Sequence, residues 1–247
     1  EEEVVLNLPF NLVGYVSRQQ ALEPAAADQQ PLKLQEAYLP GQLVVAVVVA
    51  VVEAPGGAKR SRIELSLRPS LANAGLDAES LVQHMCLPAS VEGEEEHVFR
   101  LSFGIQGLQG LLNKSEVSGW PHAPSPGSII QVAVVAVSSS GTVRCAAKAA
   151  QSLGASPLKL EALKAGLLVH AKVEKVLAAG QSQEGNAGLV LAFCGSLVGM
   201  VHWHQQAGPA IKSKQRVTAR VLAVVPGQHT TVHLTLLPHL LDWTSKR

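Results

Sequence analysis

The chemically richest stretch of this chain is Gly199-Met-Val-His202-Trp203-His204. One indole and two imidazoles within three positions can stack on nucleobases or, with further ligands, hold a metal. Zinc needs another spaced pair of ligands. Cys194 is the only thiol near this stretch, so the metal reading lacks parts. Downstream, Lys212, Lys214, Arg216 and Arg220 are spaced for one edge and one face of a strand, and Lys59, Arg60 and Arg62 form a second basic cluster. Such residues either neutralise phosphates, which makes binding salt-dependent, or form a solvated edge that resists strand pairing. Glu92-Gly-Glu-Glu-Glu96 reads as an acidic turn that repels polyanions and lacks the fixed geometry of a cation site. There is no GxSxG, P-loop, HExxH or GxGxxG, and no pair of acids recurs. A non-enzyme is expected, with no cofactor, metal or small-molecule substrate.

Composition narrows the class. A formal charge of +1 over 247 residues excludes a domain that coats nucleic acid by charge alone, so any contact must use local patches. Aromatics are only 4%, and the apolar load falls on Val, Leu and Ala, which suggests many short strands. Cys86, Cys145 and Cys194 are odd in number and form no CxxC, so they read as small core hydrophobes in a reducing compartment. The longest apolar run, Leu43–Val52, is too short to cross a bilayer, and no membrane association is expected. No signal peptide is visible and the first residue is Glu1, so a segment of a longer protein is expected.

Elements that could position these side chains emerge from an internal repeat. Three Val-rich segments begin at Gly41, Gly127 and Ser213, 86 residues apart each time. Each reads as a long strand, followed by a polar turn and a second strand: Arg62–Leu67, Thr142–Ala147 or Thr231–Leu236. Upstream of each hairpin, a glycine stands between apolar residues: Leu12-Val-Gly14-Tyr-Val16, Leu108-Gln-Gly110-Leu-Leu112 and Leu197-Val-Gly199-Met-Val201. Strands at Val4–Leu8, His97–Phe103 and Gly188–Phe193 precede these. Opening strands at Met85–Val91 and Leu167–Leu177 complete the second and third units. The expected fold is all-β: tandem five-stranded OB-type barrels of antiparallel strands, the first truncated, over residues 1–70, 80–150 and 163–240. Ala21–Leu39 reads as a polar insertion, Leu71–Ser80 and Ala150–Leu163 as short helical linkers, and Pro238–Trp243 as a short terminal helix.

This unit order resembles the S1 RNA-binding repeat. The strings Arg62-Ile-Glu-Leu-Ser-Leu-Arg-Pro-Ser-Leu-Ala-Asn-Ala-Gly-Leu76, Leu168-Val-His-Ala-Lys-Val-Glu-Lys-Val176 and Leu236-Leu-Pro-His-Leu240 resemble repeat exits and openers of one S1 family, the nucleolar pre-ribosomal-RNA processing proteins built of many such repeats. The resemblance implies nuclear, nucleolar localisation and a scaffold role in early small-subunit assembly. Its partners would be pre-rRNA or other structured RNA and other ribosome-assembly proteins.

The resemblance also implies where RNA would lie. S1 repeats carry Gly-Leu-Val-His on the third strand, and Gly199-Met-Val-His202 matches it, which points to His202, Trp203 and Phe193. In the second unit it points to Phe99, Arg100, Phe103, Asn113 and Lys114, with Asn113 in the histidine position. In the first it points to Tyr15 and Arg18, with Ser17 in that position. Lys214, Arg216 and Arg220 would flank the third face. A second reading stands beside this one: Phe99, Leu101 and Phe103 share parity and could be a core stripe, as could Phe193 and Trp203. Degenerate repeats that dock assembly proteins, or the accessory S1 array of an exoribonuclease, remain as functional alternatives.

Overall fold

A computed structural model of the chain describes residues 2–23, 33–53, 61–120, 123–147, 158–177, 187–206, 211–227 and 230–241. The alternating segments form three sheets. In the first repeat, β1 (Glu3–Leu8), β2 (Leu12–Ser17), β3 (Val47–Val52) and β4 (Arg62–Ser66) make a four-stranded sheet in the order β1-β2-β4-β3. In the second, β5 (Cys86–Glu94), β6 (Val98–Ser102), β7 (Gln109–Asn113), β8 (Ile129–Val137) and β9 (Thr142–Ala146) close into a barrel, β5-β6-β7-β9-β8. In the third, β10 (Leu168–Leu177), β11 (Gly188–Phe193), β12 (Leu197–His202), β13 (Arg216–Val225) and β14 (Thr231–Thr235) close in the same order. These are OB/S1-type barrels. The chain divides into two compact bodies, Glu1–Val82 with Leu87–Ala147, and Gln83–Cys86 with Lys148–Arg247.

The expectation of wholly antiparallel barrels is corrected. The third strand of each repeat pairs parallel to the last: Gly14 opposite Ile63, Gly110 opposite Val143, and Met200 opposite His233. That seam closes the barrel, and the hairpin before it cannot. Register shifts at Val91/Gly93, Val134/Ala136, Val173/Lys175 and Val221/Ala223 sit in the first and fourth strands of both closed barrels. Bulges there add the local bend that closure requires.

The Val-rich strand of the first repeat is shorter than its sequence suggests. Residues 41–46 are not strand, and β3 begins at Val47. In the third repeat, the early half of the equivalent strand pairs with the opener, from Leu168 opposite Arg220 to Lys172 opposite Arg216. Among the described residues the first repeat has no opener, so 41–46 have no ladder to join. Val44 and Ala46 pack against the core instead. Of the expected polar insertion at 21–39, residues 24–32 lie outside the described ones, and the two described ends contribute buried side chains. Ala21, Leu22, Leu34 and Tyr38 are buried, and the Tyr38 hydroxyl donates to the Ala21 carbonyl at 2.8 Å. Burial raises the Tyr38 phenol further above its ordinary value.

The connection at 71–80 holds a helical turn at Pro69–Ala72 and a 3-10 turn at Ala78–Ser80. Within the same body, the buried Asn73 amide donates to the carbonyls of Pro88 (3.0 Å) and Phe103 (2.8 Å), which fastens the repeat exit to the second barrel. Of the connection expected as helical at 150–163, residues 150–157 lie outside the described residues, and a single 3-10 turn occupies Leu160–Ala162. A helical turn at Pro238–Leu241 begins the expected terminal helix, whose last two residues lie outside the described ones. All three cysteines are buried and outside any disulfide; burial pushes the thiols of Cys86 and Cys145 up to about 12.

The conserved shape of the three third strands has a steric cause. A Cβ at Gly110 would lie 2.9 Å from Leu101 Cβ and 2.9 Å from Phe103 Cε2. At Gly199 it would lie 2.9 Å from Leu234 Cδ1 and 3.0 Å from the Val232 carbonyl oxygen. The strand passes too close to the core for any side chain. Gly110→Ala should therefore cost about 1–3 kcal/mol by overpacking. Urea denaturation combined with hydrogen exchange at second-repeat amides measures this, and an unchanged midpoint would show that the wall relaxes freely.

Candidate nucleic-acid interface

Strand alternation from these glycines fixes which residues look outward. After Gly199, Met200 points out, Val201 in and His202 out; Val201 is fully buried, while Met200 and His202 are partly exposed. Register carries the same positions to the other repeats. Met200 corresponds to Leu111 and Tyr15, His202 to Asn113 and Ser17, and Trp203 to Lys114 and Arg18. The neighbouring last strand contributes His233, Arg144 and Glu64. One geometry is thus dressed three ways.

In the third repeat the face is aromatic. Trp203 begins a 3-10 turn directly after β12, with its amide donating to the Ala187 carbonyl at 3.0 Å. Its ring is 62% exposed, the most open large apolar side chain among the described residues. The His202 and His204 rings lie 4.4 Å apart, and Trp203 meets His204 edge-on at 5.8 Å. His233 stands opposite Met200 across the parallel seam. Desolvation, then the neighbouring His204, lowers the His202 pKa; desolvation, then His202, lowers that of His233. An exposed indole flanked by imidazoles is equipped to stack a planar base and donate hydrogen bonds to it.

In the second repeat two of the cations, Arg100 and Lys114, are committed. Lys114 pairs with Glu94 at 2.5 Å and lies over the Phe99 ring at 5.6 Å, and Arg100 pairs with Glu95 at 3.4 Å. Asn113 is exposed on the rim. In the first repeat, Arg62 covers the Tyr15 ring at 4.3 Å and pairs with Glu3, while Arg18 pairs with Glu2 at 3.6 Å. The Arg62 guanidinium is held above its ordinary value, chiefly by its hydrogen bond to Glu3.

A search for family models found no match. Curated relatives do match along almost the whole chain. A mouse protein, "Protein RRP5 homolog", is 28% identical over 98% of this chain. Its human namesake is also 28% identical over 98%, and an Arabidopsis "rRNA biogenesis protein RRP5" is 24% identical over 98%. Along almost its whole length the chain is thus similar to proteins named RRP5. It spans 14% of the mouse and human proteins and 13% of the plant one. Among solved structures, a multidomain Streptococcus pneumoniae protein with nucleic acid binding domains aligns over 72% of this chain and 56% of its own, at 13% identity and a TM-score of 0.25.

Four expectations for this RRP5-type segment are corrected by burial. Phe99 and Phe193 are 3% exposed and Phe103 is fully buried, so none can stack on a base. They continue the inward parity of Leu101 and Leu191, and the core-stripe reading holds for them. Trp203, by contrast, leaves the strand before its parity would bury it. Arg220 is also buried. Its guanidinium donates to the carbonyls of Leu240, Leu241 (2.6 Å) and Gly166 (2.6 Å), which ties the terminal turn to the barrel. Lys214 and Arg216 are exposed, but they lie on the β10–β13 seam beside Lys172, whereas the rings crown the β12–β14 seam. His233 escaped the sequence reading because its place in the face depends on the parallel seam. Its polar parity within Thr231-Val-His-Leu-Thr235 was the available signal.

Two measurements test this RRP5-type face. The NMR titration midpoints of His202 and His233 should fall below 6.5, the value of an unperturbed imidazole. Because the folded pKa is depressed, the unfolded chain takes up more protons as pH drops through 6.5, so both groups make stability fall with acidification, not rise. Midpoints above 6.5 would reverse that sign. Separately, Arg220→Ala should lower stability by on the order of 3 kcal/mol, through the loss of charge-assisted bonds to buried carbonyls, and circular dichroism during denaturant melts would register it.

Proposed function

We propose that this chain is an RNA-binding scaffold segment of a ribosome-biogenesis factor, acting in pre-rRNA processing and early small-subunit assembly in the nucleolus. Its three S1-like repeats, over 1–70, 80–150 and 163–240, have different shares in that task. The third supplies the RNA contact. Trp203 stacks on an unpaired base, His202 and His233 donate hydrogen bonds around it, and Lys214 and Arg216 meet phosphates along the adjoining strand. Single-stranded or loop RNA suits this face, because bases must be unstacked to reach an isolated indole.

The single observation that carries the reading is the openness of Trp203 beside His202, at the head of an S1-type third strand. The names of the curated relatives support it: the plant protein is described as an rRNA biogenesis protein. A formal charge of +1 agrees with binding through a local stack in place of a broad electrostatic coat. No reaction is needed, and the reading is of a binder with no catalytic step.

The test is fluorescence anisotropy of labelled oligouridylate and pre-rRNA fragments across a salt series. Trp203→Ala should weaken binding roughly 5- to 150-fold, the range of one lost base stack of about 1–3 kcal/mol. Arg216→Gln should flatten the salt dependence by about one unit of slope. If Trp203→Ala leaves affinity unchanged in a folded chain, the third repeat does not bind RNA through this face.

A further inference from the structure

The second barrel carries a hollow on the outer wall that corresponds to the RNA face of the third. It has a volume of about 380 Å³ and is lined by Val98, Leu111, Asn113, Glu116, Val135, Arg144 and Cys145. Val98, Leu111 and Val135 are half-buried aliphatic side chains on β6, β7 and β8, with β9 between the last two, so the wall from β6 to β8 presents apolar surface at one place. Such surface, left facing water in a concavity with a few polar groups, is the ordinary make-up of a binding site.

Its chemistry is unlike that of a nucleic-acid site. Phe99, the phenyl ring beside Val98, is buried and offers no surface on which a base could stack. Arg100 and Lys114 are already paired with Glu95 and Glu94. Those acids belong to the turn that borders the Val98 and Asn113 end of the hollow, where Glu94 stands opposite Phe99 and Asn113 opposite Val98. Glu92 and Glu96 add to it, and all four are exposed. A phosphate backbone meets repulsion there. At the other end, Arg144 stands opposite Leu111 on the last strand, exposed and with no partner among the described residues. Glu116, which also lines the hollow, accepts from the Ala147 amide at 2.8 Å through one carboxylate oxygen and makes no ion pair with Arg144 among the described residues. The hollow therefore has an aliphatic floor, one free cation at one end and surplus acid at the other.

We propose that this hollow docks an extended peptide segment of a partner protein. An aliphatic side chain seats between Val98, Leu111 and Val135, an acidic residue pairs with Arg144, and a basic residue faces the acidic turn. The charge polarity fixes the direction in which the segment lies. The second repeat is then a protein-docking copy of a fold whose third copy meets RNA, and the two surfaces use equivalent strands.

The experiment uses the whole 247-residue chain, labelled with ¹⁵N. Two synthetic peptides are titrated, Lys-Lys-Val-Leu-Asp-Asp and its control Lys-Lys-Ser-Ser-Asp-Asp, followed by oligouridylate. The Val-Leu peptide should shift the amides of Val98, Leu111, Val135 and Arg144. Arg144→Glu and the Ser-Ser replacement should each weaken that response roughly tenfold, the effect expected of removing a central contact. Trp203→Ala should leave it intact, which separates this site from the RNA face. Equal binding of the two peptides, no response at these amides, or movement of the same amides by oligouridylate would each overturn the proposal.

Discussion

The outward-facing residues of the three third strands owe their phase to the close approach of a glycine to the core. At Gly14 an added Cβ would meet Leu65 Cδ1 at 2.3 Å; at Gly110 it would meet Leu101 and Phe103, and at Gly199 Leu234. The glycine lets the strand lie against the last strand in parallel pairing, and that pairing closes the barrel. It also sets the phase. A slip of one residue would turn Tyr15, Leu111 and Met200 inward and expose Val16, Leu112 and Val201, all fully buried now. The register is therefore held by burial on one face, and the other face is free to vary.

That freedom has been used differently in each repeat. The first covers its own ring: Arg62 lies over Tyr15 and pairs with Glu3. The second neutralises Arg100 and Lys114 with an acidic turn and leaves an aliphatic hollow beside Arg144. The third gathers Trp203, His202, His204 and His233 into one cluster of rings. Exposed ion pairs contribute little to stability, so the pairs in the first two repeats matter more for what they deny to a ligand. The backbone decides where a ligand can lie, and the side chains decide which ligand.

The strands were legible because their pattern is local. Period-two alternation reports a sheet with one wet face, and the recurring glycine marks the same strand in each repeat. The parallel seam was not legible, since it joins strands separated by a long connection and a hairpin and leaves no mark in either. Missing it hid His233 and Arg144 from the candidate face. The rings show a related limit. Phe99, Phe103 and Phe193 carry the inward parity of a core stripe, while the family resemblance points to stacking rings, and only burial decides between the two. Arg220 shows a further limit. Its burial depends on carbonyls of residues 240 and 241, about twenty positions away, and nothing in the strand sequence signals them.

A tandem arrangement changes what each face must achieve. A single base stack is worth about 1–3 kcal/mol, far too little to hold an RNA alone. Linked faces act at high effective concentration, so a weak contact in one repeat counts once a neighbour is engaged. Under the proposed reading, RNA meets one repeat of this chain and protein meets another, and neither contact needs to be strong. The low formal charge fits that division. A strongly basic chain would bind any polyanion and lose the distinction, whereas a charge of +1 leaves discrimination to the local chemistry of each wall. The same economy explains why the rings are few: with only 4% aromatics and the phenylalanines Phe99, Phe103 and Phe193 spent in the core, the chain can arm one face fully and must build the others from aliphatic and paired charged residues.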